Sequence, residues 1–463
     1  MVSMQLTRPS IFRAPPAIFW AGLALRLATI LIGHTYKVRV DEAHFNFGFE
    51  AGRIARSLVL GRGYANPFNG ISGPTAWLPP LYPLLIALSF KLFGIYTNTA
   101  ALFLLICNSI FSALIAPAIY EIAARCFDAS GIARRASKHV APVALWSAWL
   151  WALYPAALQY AIHWVWEMSL STCLFTWTLV LALRLRHIGE APLLTLNSQL
   201  STESQIRSPS PRHHLHLWLL FGLLWGLTAL SNASLLLVFP ATLLWIIWPY
   251  QQTIAQLKRN LTGAFLACLV FSAVLSPWII RNEQTLHAFI PTRDNLGVEL
   301  WQSTHFYYGV FPWGQAVPLS PLDPEHRLYV QMGEVAYSQM RMTQARANIA
   351  AHPHTFLRLT LERIQCFWFG VPHPTEPHPA NEILRELNFS FLSVAGLLGL
   401  ALALRRRVPT AWLFAAVFLL VPAAYYIVTV QARFRHPLEP LIAILTVYLF
   451  RSTTSRRATL TKP

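Results

Sequence analysis

Two adjacent carboxylates, Asp41 and Glu42 in KVRVDEAHFNF, follow an apolar stretch and have Lys37, Arg39 and Arg53 near them in the chain. Neighbouring residues on a helix point about 100° apart, so the pair cannot act as one bidentate clamp. One can face a site while the other binds a neighbour. A carboxylate that is partly desolvated at a membrane interface has a raised pKa, which suits it to take a proton from a hydroxyl. The plain alternative is that both simply pair with the adjacent cations. The letters D-E-A-H also name a helicase box, but that chemistry needs a phosphate-binding loop beside the acidic pair. No G-x-x-x-x-G-K-[ST] occurs, and none of the five lysines sits in a glycine-rich turn. A nucleic-acid motor is set aside.

Arginines form the second chemical signal. VTVQARFRHPLEPLI carries Arg433, Arg435 and His436 at the mouth of an apolar run, where a phosphate or the nearby Glu439 would hold them. A guanidinium fork matches a phosphate in geometry and charge. FEAGRIARSLVLGRGYANPF has apolar residues at helical spacing, Phe49, Ile54 and Leu58, with Arg53 and Arg56 between them. That pattern predicts an interfacial helix whose cations meet lipid headgroups or a lipid-linked phosphate. In AIHWVWEMS, His163 and Glu167 are four residues apart, so on one helix they share a face, as cavity lining or as a structural hydrogen bond. LWQSTHFYYGVFPW offers Trp301, His305, Tyr307, Tyr308 and Trp313 either as sugar-stacking rings or as an interface belt. The clustered His213, His214 and His216 read as solvated surface, and the five cysteines suggest no disulfide framework.

The elements that position these residues are membrane spans. Hydrophobic residues make up 55% of the chain and charged residues 12%, mean hydropathy is +0.44, and a soluble domain carries about 25% charged residues. Apolar runs of near-span length occur at 16–36, 98–122, 140–162, 164–185, 215–231, 233–250, 261–280, 387–404, 409–430 and 434–450. The first follows Arg8 and Arg13 without a small-residue cleavage site and reads as a retained signal-anchor. If the spans alternate, nineteen of the 36 basic residues fall on the cytoplasmic side, against Asp128, Glu190 and Glu203. The net charge of +17 is then chiefly a topology signal, with some attraction to anionic lipid. Residues 37–97 and 281–386 face outward, and PPLYPLLIALSFKLFG, 79–94, reads as a short or re-entrant helix. Residues 98–280 form the bundle core, 387–450 the last spans, and 451–463 a cytoplasmic tail. LNSQLSTESQIRSPSPRHH reads as a flexible linker, and VPHPTEPHP, with His373 and His378, as a rigid connector.

With these pieces placed, the chain resembles the polyprenyl-phosphate-sugar-dependent glycosyltransferases of the GT-C class, which include the protein O-mannosyltransferases (glycosyltransferase family 39) and the lipid A aminoarabinose transferases. DEAHFNFGFEAGRIARSLVLGRGY with the later PPLYPLLIALSFKLFG is similar to that family's first outer loop. SPWIIRNEQTLHAFIPTRDNLGVELWQSTH is similar to its P-W-x-x-R-N segment with a later G-x-x-L-W, and ARFRHPLEPLI to its arginine-proline approach to a late span. The resemblance implies an all-α polytopic membrane bundle of about 10–12 helices, with seven spans before the large outer loop. It implies that Asp41 is the general base, that Glu42 supports it or the acceptor, and that Arg433 and Arg435 lie near the donor phosphate. Many relatives have a basic residue just before P-P; here it is Leu78, which leaves Arg53, Arg56 or Arg281 to supply that contact.

The expected reaction is sugar transfer from a polyprenyl-phosphate donor to an acceptor hydroxyl on lipid, polysaccharide or protein, at the periplasmic face of a bacterial inner membrane. The phosphate already activates the sugar, so one base and an arginine cluster suffice, and attack opposite the leaving group inverts the anomeric centre. No cofactor is required, although a carboxylate with His163 offers a site for a divalent metal. The competing class is a secondary transporter or lipid flippase, which would show paired halves and broken midplane helices.

Overall fold

A computed structural model describes residues 15–38, 47–128, 143–189, 211–248, 253–306, 309–310, 321–371 and 379–460. Within them the chain forms helices α1 (Pro15–Ile32), α2 (Glu50–Val59), α3 (Leu81–Phe93), α4 (Asn98–Ala123), α5 (Val143–Leu153), α6 (Pro155–Ile162) and α7 (Met168–Leu185). Next come α8 (Pro211–Ser231), α9 (Val238–Ile247), α10 (Ile254–Leu286), α11 (Leu296–Gln302) and α12 (Pro324–Met332). The chain continues with α13 (Glu334–Ala351), α14 (Pro353–Phe369), α15 (Pro379–Arg405), α16 (Ala411–Ile427) and α17 (Glu439–Leu460). A 3-10 helix, Ala432–Leu438, leads into α17. Five of the described helices are long and apolar enough to cross a membrane, and five shorter ones are apolar. The chain is a multi-pass membrane protein.

Local chemistry sets the ends of these helices. The Thr97 side chain accepts from Ala100 N to start α4, and Asp323 accepts from Glu325 N to start α12. Thr253 and Gln256 bond reciprocally at the start of α10, a capping box that satisfies two orphan donors. The expected span 140–162 is broken. Pro155 has no N–H to continue the ladder and its ring crowds the preceding turn, so α5 stops at Leu153 and Pro155 begins α6. Expected span 261–280 lies inside a helix of 33 residues, whose last turns stand beyond any bilayer of ordinary thickness. The 79–94 segment forms α3, 13 residues long, about 20 Å at 1.5 Å per residue and so short of a full crossing.

α7 is central and mostly buried, while α1 and α10 are peripheral. The main core packs Trp151, Phe175, Trp218, Phe221 and Trp225 among aliphatic residues of α4, α5, α7, α8, α16 and α17. α8 and α10 approach closely: a Cβ at Gly222 would stand 2.3 Å from the Ala267 carbonyl, the small-residue contact typical of membrane helices. At one end of the bundle, Glu121 pairs with Arg125 at 2.9 Å and Arg184 at 2.6 Å. At the other end, α2, α11, α12 and α13 form a roof joined to the bundle.

That roof is fixed by polar bonds. The Glu334 carboxylate accepts from the Thr75 hydroxyl, from Ala76 N at 2.5 Å and from the Tyr329 hydroxyl at 2.7 Å. Arg281, at the end of α10, donates to the carbonyls of Tyr64 at 2.6 Å and Thr75 at 2.7 Å. Asn282 donates to the Ile290 carbonyl and Trp278 to that of Thr292. The P-W-x-x-R-N segment is therefore the bolt between α10 and the loop before α3.

Candidate functional site

The mouth of the bundle at the roof end is built by three elements. The 3-10 helix brings Arg433, the turn between α6 and α7 brings Trp166 and Glu167, and the start of α2 brings Glu50. The Arg433 guanidinium lies over the Trp166 ring at 3.8 Å, and Trp166 stacks on Trp164 at 4.9 Å. Glu167, Glu50 and Glu299 all lie within electrostatic range of Arg433. Glu299, on α11, accepts from Thr429 at 3.3 Å, just before the 3-10 helix, and faces Arg293 at 3.5 Å. Arg53 lies within range of Glu50, and Arg293 within range of Glu167. Among the described residues, three carboxylates and three guanidiniums thus share one half-buried region. Burial holds the Glu50 carboxyl above its ordinary range, against the pull of Arg53 and Arg433.

Gly48 makes this assembly possible. Its φ is +75°, and a Cβ there would stand 2.5 Å from the Val165 carbonyl and 2.9 Å from the Trp166 ring. Only glycine tolerates both the left-handed conformation and that approach. Phe47 beside it is buried against Phe90 and Tyr96, so the start of α2 is seated on the α6–α7 turn.

Asp41 and Glu42 lie outside the described residues, as do Tyr307, Tyr308, Trp313, His373 and His378. Of the other expected site residues, Arg433 and Glu167 meet at the mouth and several do not. Arg435 is fully buried, its Nε donating to Glu439 at 2.7 Å and its Nη1 to the Phe389 carbonyl at 3.0 Å and to Ser393 Oγ. Its counter-anion is Glu439, not a phosphate. Arg281 is spent on the roof bonds described above. His436 is buried between the rings of Trp151 and Tyr160, at 5.5 and 4.8 Å, and does not line the mouth. Trp301 is covered by the Arg341 guanidinium at 3.7 Å, with His305 packed edge-on at 4.3 Å and bonded to the Trp301 carbonyl. Their rings build the roof instead of presenting a stacking face.

His163 and Glu167 do not share a helix face. His163 ends α6, exposed, and Glu167 precedes α7 across a turn. Arg53 is buried, its Nη1 3.4 Å from the Pro67 carbonyl, whereas Arg56 is exposed. Leu78 packs at the junction of three apolar clusters, so the position before P-P belongs to the packing here. Sequence reading missed Glu50, Glu299 and Arg293. The signal for Glu299 was present in GVELW, where a lone acid interrupts an otherwise apolar motif.

No protein-family model and no curated protein matches the chain. Solved structures do. The apo oligosaccharyltransferase of Archaeoglobus fulgidus superposes with a TM-score of 0.54 and 12% identity, over 97% of this chain and 52% of that one. The archaeal oligosaccharyltransferase AglB from the same organism, in complex with an inhibitory peptide and a dolichol-phosphate, gives 0.52 and 14%, over 96% and 51%. The chain therefore spans about half the length of these proteins. ArnT from Cupriavidus metallidurans bound to undecaprenyl phosphate gives 0.36 and 14%, over 94% and 78%, a likeness too remote to carry weight. The fold is an all-α membrane bundle like that of these two archaeal structures, as the sequence leads one to expect.

Proposed function

We propose that this chain is an integral membrane glycosyltransferase that moves a sugar from a polyprenyl-phosphate donor to an acceptor hydroxyl at the roof end, with that end facing the periplasm of a bacterial cell. The observation that carries the reading is the mouth itself. Arg433 stands on Trp166 among Glu50, Glu167 and Glu299, with Arg53 and Arg293 completing the charge balance, in a bundle with the fold of an oligosaccharyltransferase.

In this mechanism Asp41 takes the proton of the acceptor hydroxyl, and the oxygen attacks the anomeric carbon opposite the phosphate. The carbon–oxygen bond to phosphate breaks, its electron pair stays with the phosphate, and polyprenyl phosphate departs with inversion of the sugar. Arg433 neutralises the charge that develops on the leaving oxygen; its ring partner and carboxylates hold it in place before the reaction. Glu42 orients Asp41 or the acceptor. Neither a nucleotide nor a metal is required. When the donor phosphate binds, Glu50 takes up a proton, so the mouth is not overloaded with negative charge.

The test is release of polyprenyl phosphate from a panel of polyprenyl-phosphate sugars by wild type and Asp41→Asn, purified in detergent. Asn keeps the size but cannot accept the proton, so turnover falls about 100-fold or more. Equal turnover by both removes Asp41 as base; no turnover with any donor and varied acceptors removes the transferase reading.

A further inference from the structure

The loop 61–73 and the outer side of α2 enclose a cleft of about 260 Å³ that shares only Arg53 with the mouth. Arg53, Arg56 and Arg62 line it together with Asn66 and Asn69, and among the described residues none that lines it is acidic. Its wall is rigid. Asn66, at φ +59°, accepts from Ser72 N at 2.9 Å and Gly73 N at 3.0 Å and donates to Ser57 Oγ at 3.1 Å. The Arg62 amide is tied back to the Ser57 carbonyl. Arg53 is also within range of Glu50, so the cations that face a ligand in the cleft are Arg56 and Arg62. Two guanidiniums facing one half-enclosed space repel one another, and an anion with several oxygens relieves that repulsion while accepting their N–H groups.

In the transfer reading the leaving phosphate sits at Arg433 and not in the cleft. Arg56 lies six residues beyond Glu50 on α2, about 9 Å along the helix at 1.5 Å per residue, and Arg62 lies further along the chain. An anion between Arg56 and Arg62 is a second one, beside the phosphate at Arg433. We infer that this cleft binds a phosphate group carried by the acceptor, so that the molecule receiving the sugar is itself anionic; this rests on the transferase reading. It also accounts for two cations otherwise out of place: Arg56 and Arg62 lie in a segment that the positive-inside rule would keep poor in cations.

The experiment compares wild type with the double variant Arg56→Gln, Arg62→Gln and with Arg62→Lys, all purified in detergent. Sugar transfer is measured to a phosphorylated acceptor and to its dephosphorylated counterpart, and thermal stabilisation by inorganic pyrophosphate is measured without any donor. The expected result is that the double variant raises KM for the phosphorylated acceptor about tenfold or more with kcat within about twofold, leaves the dephosphorylated acceptor unaffected, and loses the pyrophosphate stabilisation, while Arg62→Lys restores part of both. Stabilisation by pyrophosphate that is the same in the double variant overturns the site. So does a rise in KM for the donor in place of the acceptor, which would assign the cleft to the donor phosphate or to a lipid headgroup. If wild type shows no transfer at all yet loses pyrophosphate stabilisation on mutation, the transferase reading fails and the phosphate site stands.

Discussion

Arg433 and Arg435 are two residues apart and do different work. Arg435 is buried and bonded to Glu439, Ser393 and two carbonyls. Removing it leaves a carboxylate buried without its partner, a change that costs about 3–5 kcal/mol. Arg435→Gln is therefore expected to lower the melting temperature sharply and reduce yield. Arg433→Gln is expected to leave the melt nearly unchanged and raise the donor KM about tenfold or more, because Arg433 is held by the Trp166 and Phe434 rings and by longer-range charge, with no carboxylate among the described residues at ion-pair distance. Melting curves beside donor kinetics separate the two; matching effects in both variants would sink the division of labour. Glu50 adds a dependence on pH. Its carboxyl titrates above its ordinary range, so as pH falls through that raised value Glu50 becomes neutral and the mouth attracts phosphate more strongly. Donor KM should fall on acidification in wild type and stay flat in Glu50→Gln, even as kcat falls because the base is protonated.

At the scale of the elements, the roof is held to the bundle by acids that burial makes reluctant to ionise. Glu334 is pushed up to about 7 by burial, opposed by its bonds to Thr75, Ala76 N and Tyr329, and Asp294 is pushed up to about 7 by burial and by Glu334. For a carboxyl raised in the folded state, folding binds protons. Stability is lowest above the folded value, rises as pH falls from about 7, and stops rising below the unfolded value near 4. Melting temperature should therefore increase from pH 8 to pH 5 in wild type, and the increase should shrink in Asp294→Asn, which is neutral throughout. Equal slopes would mean that Asp294 is ionised in the fold. None of this was legible from sequence, because Glu334 and Thr75 are 259 residues apart. The spans were legible, since apolar runs of bilayer length follow from hydropathy alone. The helix break at Pro155 was visible as a proline but not as a boundary, because membrane helices such as α4 and α10 also carry Pro117 and Pro277 without stopping. Arginine roles were the least readable: P-W-x-x-R-N shows a cation beside a roof, while only the fold shows that Arg281 spends its N–H groups on the Tyr64 and Thr75 carbonyls.

Over the whole molecule, charge and packing make one statement about orientation. The end that carries Arg125, Arg184, Arg186, Arg405, Arg406 and Arg407 leaves many of its cations exposed or on the helix ends; the roof end ties Arg281, Arg433 and Arg435 to carbonyls, rings and carboxylates and turns Arg56 and Arg62 toward the cleft. The first pattern is what the positive-inside rule asks of a cytoplasmic face. The second is what a surface needs when its cations serve structure or ligands. Single cysteines placed in a background where the five native cysteines are serine should read this directly in intact cells. Cysteine at Ile71 or Leu322, both exposed at the roof end, should react with a membrane-impermeant maleimide added outside. Cysteine at Trp248 or Arg407, at the opposite ends of α9 and α15, should react only after the membrane is permeabilised. Reversal of the two sets would place the mouth in the cytoplasm, where a nucleotide-sugar donor is as accessible as a lipid-linked one. The choice of donor would then lose its topological support even if Asp41 kept its place in the chemistry.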